Sequence, residues 1–115
     1  MTLESAAPAQ ELKLETEKKT EGVLVRCTGR IVFGTTPFLQ STVRPLISEN
    51  KRVALDLANV NYLDSSGLGT IVGLWITAKK NQRDLKLIRL SQRTREILHT
   101  TGLGWFEGDQ DYLGA

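Results

Sequence analysis

The order Arg52-Val53-Ala54-Leu55-Asp56-Leu57, then Tyr62-Leu63-Asp64-Ser65-Ser66-Gly67-Leu68-Gly69, then Ile71-Val72 and Trp75-Ile76, decides the fold class. The first six residues are apolar enough for a buried strand. Residues 58–63 read as a loop. From Leu68 onward, Ile71, Val72, Trp75, Ile76 and Ala78 recur at helical spacing and form an apolar face. A strand followed by a helix that must pack back on it is the repeating unit of an α/β domain. Leu55, Leu57, Ile71, Trp75, Leu87 and Ile88 are the expected core positions.

The same alternation extends outward in both directions. Leu12 and Leu14 alternate with Lys13 and Glu15, and Lys18 to Gly22 reads as a hairpin turn into a second strand, Val23 to Cys27, closed by Gly29. Thr35 or Thr36 is suited to cap a helix with Pro37 in its first turn. That helix carries Phe38, Leu39, Val43, Leu46 and Ile47, and Pro45 predicts a kink or an end near Val43 or Arg44. Downstream, Asn81 to Asp84 breaks the second helix, and Leu85 to Leu90 forms another strand. Ser91 caps a third helix that Gly102 ends. Trp105-Phe106 either adds a short last strand or packs under the sheet. The predicted fold is a single α/β domain over residues 12–115, a mixed β-sheet of four to five strands with helices packed against it. Residues 1–11, rich in Ala, Ser, Pro and Gln, form a disordered tail in this reading.

Composition narrows the function. Of 115 residues 40% are hydrophobic, enough for a core, and fifteen cations stand against thirteen anions, with no polybasic run. Direct nucleic-acid binding is therefore not expected. The first ten residues lack the pattern of a signal peptide and no apolar stretch is long enough for a membrane span, which points to the cytoplasm. Cys27 is the sole cysteine and lies in an apolar run, so it reads as a small buried hydrophobe. With one cysteine and one histidine there is no metal-ligand cluster, and no metal or cofactor is expected.

The segment from Asp64 to Gly69 carries the chemistry. A helix start bears about half a positive charge and several unpaired N–H groups. Asp64 or Ser65 can cap those groups. Gly67, Gly69 and Gly73 each cost a helix about 0.8–1 kcal/mol relative to alanine. Such glycines serve close approach, to another element of the chain or to a partner, and the sequence leaves both open. Ser65 and Ser66 are either caps or exposed acceptors of a modification.

Enzymatic readings are poorly supported. A serine hydrolase needs a base and an orienting acid, whereas His99 stands alone on the last helix and no Gly-x-Ser-x-Gly surrounds Ser65. Gly67-Leu68-Gly69 echoes a dinucleotide loop, but the third glycine position holds Val72 and no Gly-Lys-Ser/Thr occurs.

Val53 to Leu57 with Tyr62 to Gly69 closely resembles the STAS domains of bacterial anti-sigma-factor antagonists. Leu87 to Leu90, Arg95 to Leu98 and Thr101 to Leu103 fit the same pattern. The resemblance spans about residues 12–106. It implies a non-enzymatic regulator in which the serine directly after the aspartate, here Ser65, is phosphorylated by a partner kinase that doubles as the anti-sigma factor. Asp64, Ser65, Ser66, Gly67, Leu68 and Gly69 would form the partner-binding surface. The unphosphorylated domain would bind that partner and free a sigma factor. Asp64 would also orient the acceptor hydroxyl. The competing role on the same fold is that of an unphosphorylated accessory or scaffold subunit of a transport or signalling complex. One departure stands out. Well-known members carry an acid soon after the glycine closing the second strand, but Gly29 is followed by Arg30-Ile31-Val32-Phe33-Gly34. Ile31, Val32 and Phe33 either enter the core or form an apolar patch for a different partner.

Overall fold

The computed structural model describes residues 11–114. The tail expected for residues 1–11 thus lies, apart from Glu11, outside the described residues. Strand β1 (Leu12–Lys19) turns through Thr20 and Glu21 into β2 (Gly22–Ile31). Helix α1 (Thr36–Glu49), β3 (Arg52–Leu63), α2 (Ser65–Lys80), β4 (Asp84–Ile88) and α3 (Gln92–Thr100) follow, and a single 3₁₀ turn covers Gly104–Phe106. The sheet order is β1-β2-β3-β4. The first pair is antiparallel, while β2, β3 and β4 are parallel, so the expected mixed four-strand sheet forms.

Both crossovers, β2–α1–β3 and β3–α2–β4, step in the same direction along the sheet. Right-handed connections of that kind place their helices on one face. Side chains of a strand alternate between faces. Accordingly Val23, Val25, Cys27, Val53, Leu55, Leu57, Leu85 and Leu87 point to the helices and meet Leu39, Val43, Ile47, Ile71, Leu74, Ala78 and Leu98 in the main core. On the other face Leu24, Ala54 and Ile88 form a smaller cluster, covered by Leu113 and flanked by Tyr112 from the end of the chain. Tyr112 donates its hydroxyl to Oδ2 of Asp84 at 2.8 Å, and Glu21 N–H donates to the Leu113 carbonyl at 3.1 Å.

Several elements differ from their sequence reading. The stretch of residues 58–63 is not a loop; β3 runs unbroken to Leu63. Its register against β2 shifts twice, between Arg26 and Thr28 and between Gly29 and Arg30. Each shift inserts an extra residue into β3, a bulge that breaks the two-residue alternation on which a strand is recognised. Strand β2 likewise passes Gly29, whose φ of +117° suits a bulge, and ends at Ile31. Strand β4 stops at Ile88 rather than Leu90, because Arg89 adopts a left-handed φ of +55°.

Helix α1 continues through Pro45 to Glu49. Pro45 and Ser41, whose carbonyl it cannot bond, are both exposed, so water can satisfy that carbonyl. Thr35 does not cap this helix. Its buried hydroxyl turns back into the preceding loop, accepting from Val32 N–H at 3.0 Å. Ser91 does cap α3, through Thr94 N–H at 3.2 Å. Gly102, at φ +78°, ends it as expected.

Five of the six named core positions are buried; Trp75 is not fully so. The buried line of α2 runs Gly67, Ile71, Leu74, Ala78, leaving Trp75 on its flank. There its ring packs edge-on to Trp105 at 5.0 Å and to Phe106 at 6.1 Å. Phe106 is fully buried beneath the sheet's helix face, and beyond it Glu107 forms one parallel bridge to Leu87.

Candidate functional site

The parallel strands β2 and β3 end side by side, with Ile31 opposite Leu63. Beyond them lie two structures in contact, the loop of residues 32–35 and the start of α2. Asp64 joins them. Its backbone is extended, as an N-cap requires, and Oδ1 accepts from Gly67 N–H at 2.8 Å. Oδ2 accepts from Phe33 N–H at 3.2 Å, reaching across to the β2–α1 loop. Asp64 N–H in turn donates to the Ile31 carbonyl at 3.3 Å. One carboxylate thus closes the helix start and fixes the neighbouring loop.

The three glycines separate into two kinds. A Cβ on Gly67 would lie 2.2 Å from the Ile31 carbonyl oxygen, so Gly67 is buried and allows α2 to approach the end of β2. Around Gly69 and Gly73 a Cβ would meet nothing within 4 Å. The helix-propensity cost at those two positions has no return within the fold. Gly69, Gly73 and the exposed Ile76 lie three to four residues apart, so they share one exposed line along α2.

Ser65 occupies the first position of α2 and is exposed; Ser66 and Leu68 are half-buried. Of the residues named from sequence, Asp64, Ser65, Ser66, Leu68 and Gly69 are therefore brought to one accessible helix start, with Gly67 beneath them. Both oxygens of Asp64 accept from backbone N–H groups, and in this structure no hydrogen bond joins the Ser65 hydroxyl to that carboxylate. His99 lies exposed in the last turn of α3. Among the described residues no group of three or more His, Cys, Asp or Glu is positioned to hold a metal ion. No described helix is long and apolar enough to cross a membrane.

The two readings of Ile31-Val32-Phe33, core or exposed patch, each hold for part of the triplet. The expected triplet is split: Ile31 is fully buried, Val32 is half-buried and Phe33 projects outward. The signal was present in the strand period, which continues through Ile31 and ends before Gly34.

This architecture, four strands with helices on one face and a glycine-rich helix start closed by an aspartate, defines a two-layer α/β domain. The STAS domain family model matches residues 13–107, and the chain belongs to that family. The anti-sigma-B factor antagonist of Bacillus subtilis (strain 168) is 30% identical over 92 residues, covering 80% of this chain and 84% of that one. Among solved structures, the anti-sigma factor antagonist SpoIIAA in its unphosphorylated form superposes with a TM-score of 0.70 at 18% identity, covering 87% of this chain and 90% of that chain. The phosphorylated form of the Bacillus cell fate determinant SpoIIAA gives 0.66 at 18% identity, with coverages of 87% and 93%.

Proposed function

We propose that this chain is an anti-sigma-factor antagonist whose partner binding is controlled by phosphorylation of Ser65. Its partner would be an anti-sigma factor with serine kinase activity. The unphosphorylated domain binds that partner and frees the sigma factor; the phosphorylated domain releases it. The observation that carries this reading is the exposed Ser65 at the start of α2, beside a helix face that Gly69 and Gly73 leave bare for no reason internal to the fold. A glycine line of this kind lets a partner's backbone lie close to the helix. Asp64, Ser65, Ser66, Leu68 and Gly69 form the contact, and Gly67 holds them at the end of β2.

A phosphate adds about −1.5 to −2 charge at neutral pH. At Ser65 it would stand next to the Asp64 carboxylate and within the docking surface, where repulsion and desolvation oppose binding. The N-terminal end of α2 favours negative charge, so the domain can carry the phosphate without unfolding. Kinship with the anti-sigma-B factor antagonist supports the same role.

Two measurements test the proposal. Phosphopeptide mass spectrometry on the protein from its native cells should find phosphate on Ser65 that disappears in Ser65→Ala. In titrations against the kinase-type anti-sigma factors of the source organism, Ser65→Asp should lose binding that wild type shows. Equal binding by Ser65→Asp and wild type, with no phosphate on Ser65 under growth or stress, would overturn the switch in favour of a constitutive scaffold.

A further inference from the structure

Phe33 is 78% exposed, on a loop with little freedom to move. Thr35 N–H and Thr36 N–H both donate to the Val32 carbonyl, at 2.8 and 3.0 Å. The buried Thr35 hydroxyl accepts from Val32 N–H, and its proton is shared between the carbonyls of Arg30 at 2.9 Å and Val32 at 3.1 Å. Thr36 Oγ1 donates to the Phe33 carbonyl at 3.1 Å, and Phe33 N–H is held by Asp64. A large aromatic ring is thus kept in water on a fixed backbone. Rigid aromatic side chains that lose little freedom on docking are the residues that dominate protein interfaces.

The strand end that leads into Phe33 carries a cation without an anionic partner among the described residues. Three residues before it, the Arg30 guanidinium lies 5.3 Å from the ring centroid of Tyr62, itself exposed. Arg30 and Tyr62 are register partners at the end of the sheet where α2 begins. Among the described residues Arg30 makes no ion pair with a carboxylate. From Arg30 to Thr36 the chain has no acidic residue. Across the loop the Asp64 carboxylate is turned to the backbone, accepting from Phe33 N–H and Gly67 N–H, and it makes no ion pair with Arg30.

We infer that Phe33 is the anchor of the partner interface and that Arg30 with Tyr62 selects the partner's charge: the surface receiving Phe33 is an apolar pocket with carboxylates on its rim. This rests on the partner-binding reading above and adds to it the chemistry of the partner. Burial of the ring supplies slow dissociation, while complementary charge mainly speeds association and excludes partners with a basic rim.

The test is kinetic binding of the full chain to each purified kinase-type anti-sigma factor of the source organism, at low and high salt. Phe33→Ala should weaken binding at least about tenfold, mostly through faster dissociation, with an unchanged unfolding transition. Arg30→Ala should slow association a few-fold and flatten its dependence on salt. If Phe33→Ala binds within twofold of wild type while Ser65→Asp does not bind, the anchor is wrong and the phosphorylation switch stands. If Phe33→Ala loses binding while Ser65→Asp keeps it, the anchor stands and the switch fails. Tighter binding by Arg30→Glu would overturn the acidic rim, and no binding by wild type to any of these factors would overturn both readings.

Discussion

Asp64 and Phe33 are bound across 31 positions of sequence by one hydrogen bond, Phe33 N–H to Oδ2 at 3.2 Å, while the other oxygen of the same carboxylate closes α2. The loop and the helix start therefore move as one piece, and a change at Asp64 reaches both.

Asp64→Ala should remove the cap and the clamp together and cost about 2 kcal/mol. Asp64→Asn keeps an acceptor for Gly67 N–H and should cost less. Urea unfolding distinguishes the two, and equal losses would show that the charge rather than the hydrogen bonds matters.

Gly67→Ala and Gly73→Ala should have opposite signs. The first drives a methyl group into the Ile31 carbonyl and should destabilise by roughly 1–3 kcal/mol. The second adds a methyl group in open space and should stabilise α2 by about 0.8–1 kcal/mol. If α2 is the docking face, the more stable Gly73→Ala protein should nevertheless bind its partner less tightly. Denaturant midpoints and binding titrations on the same two proteins check both statements.

Acid should loosen the end of the chain. Burial pushes the Asp84 carboxyl up, but its bonds to Lys79 and Tyr112 outweigh this and hold it below its ordinary 3.8. Its folded pKa is thus lower than its unfolded one. The stabilisation it gives is present above the unfolded value and disappears as pH falls through the folded one. Asp84→Asn should be less stable than wild type at neutral pH and should lose less on acidification, as read from urea midpoints between about pH 6 and pH 2.

Cys27 should be inert in the native state. Burial, and secondarily the charge of Asp56, pushes its thiol up to about 12, so almost no thiolate exists at neutral pH. Its reaction with a thiol reagent should follow global unfolding as denaturant is added. Rapid labelling in native buffer would contradict the packing of β2.

Much of the architecture was legible because most elements carry their own signals. Ser91 before a helix, Gly102 after it and Asp64 before α2 act locally, through their own backbone contacts. Where the reading failed, the deciding interaction lay elsewhere in the chain. Ala58 to Leu63 pairs with β2 through bulges that erase the alternation, and Asn59 and Asn61 disguise the strand further. Pro45 is tolerated because tertiary packing leaves it facing water. Trp75 was assigned to the core by its helical spacing from Ile71 and Val72, but the line of α2 residues facing the sheet passes through Leu74. At the site, the motif identified Asp64 to Gly69 as a unit, yet a string of residues gives no hint that Gly67 serves the fold and Gly69 does not. That distinction needs the position of the Ile31 carbonyl. The projection of Phe33 likewise depends on Thr35 turning its hydroxyl into the loop.

The two bulges in β3 make that strand a spacer of adjustable length. Nine residues of β2, from Val23 to Ile31, run beside eleven of β3, from Val53 to Leu63. The surplus falls between Asp56 and Asn59 and again at Asn61, after Val53 and Leu55 have paired with Val23 and Val25. Losing one residue between Ala58 and Asn61 would draw Asp64 back by about 3.3 Å, one strand step, and out of reach of Phe33. Insertions and deletions at the exposed Ala58, Asn59 and Asn61 would therefore retune the gap between Ser65 and the β2–α1 loop, moving the buried Val60 and Leu63 while Val53 and Leu55 keep their partners.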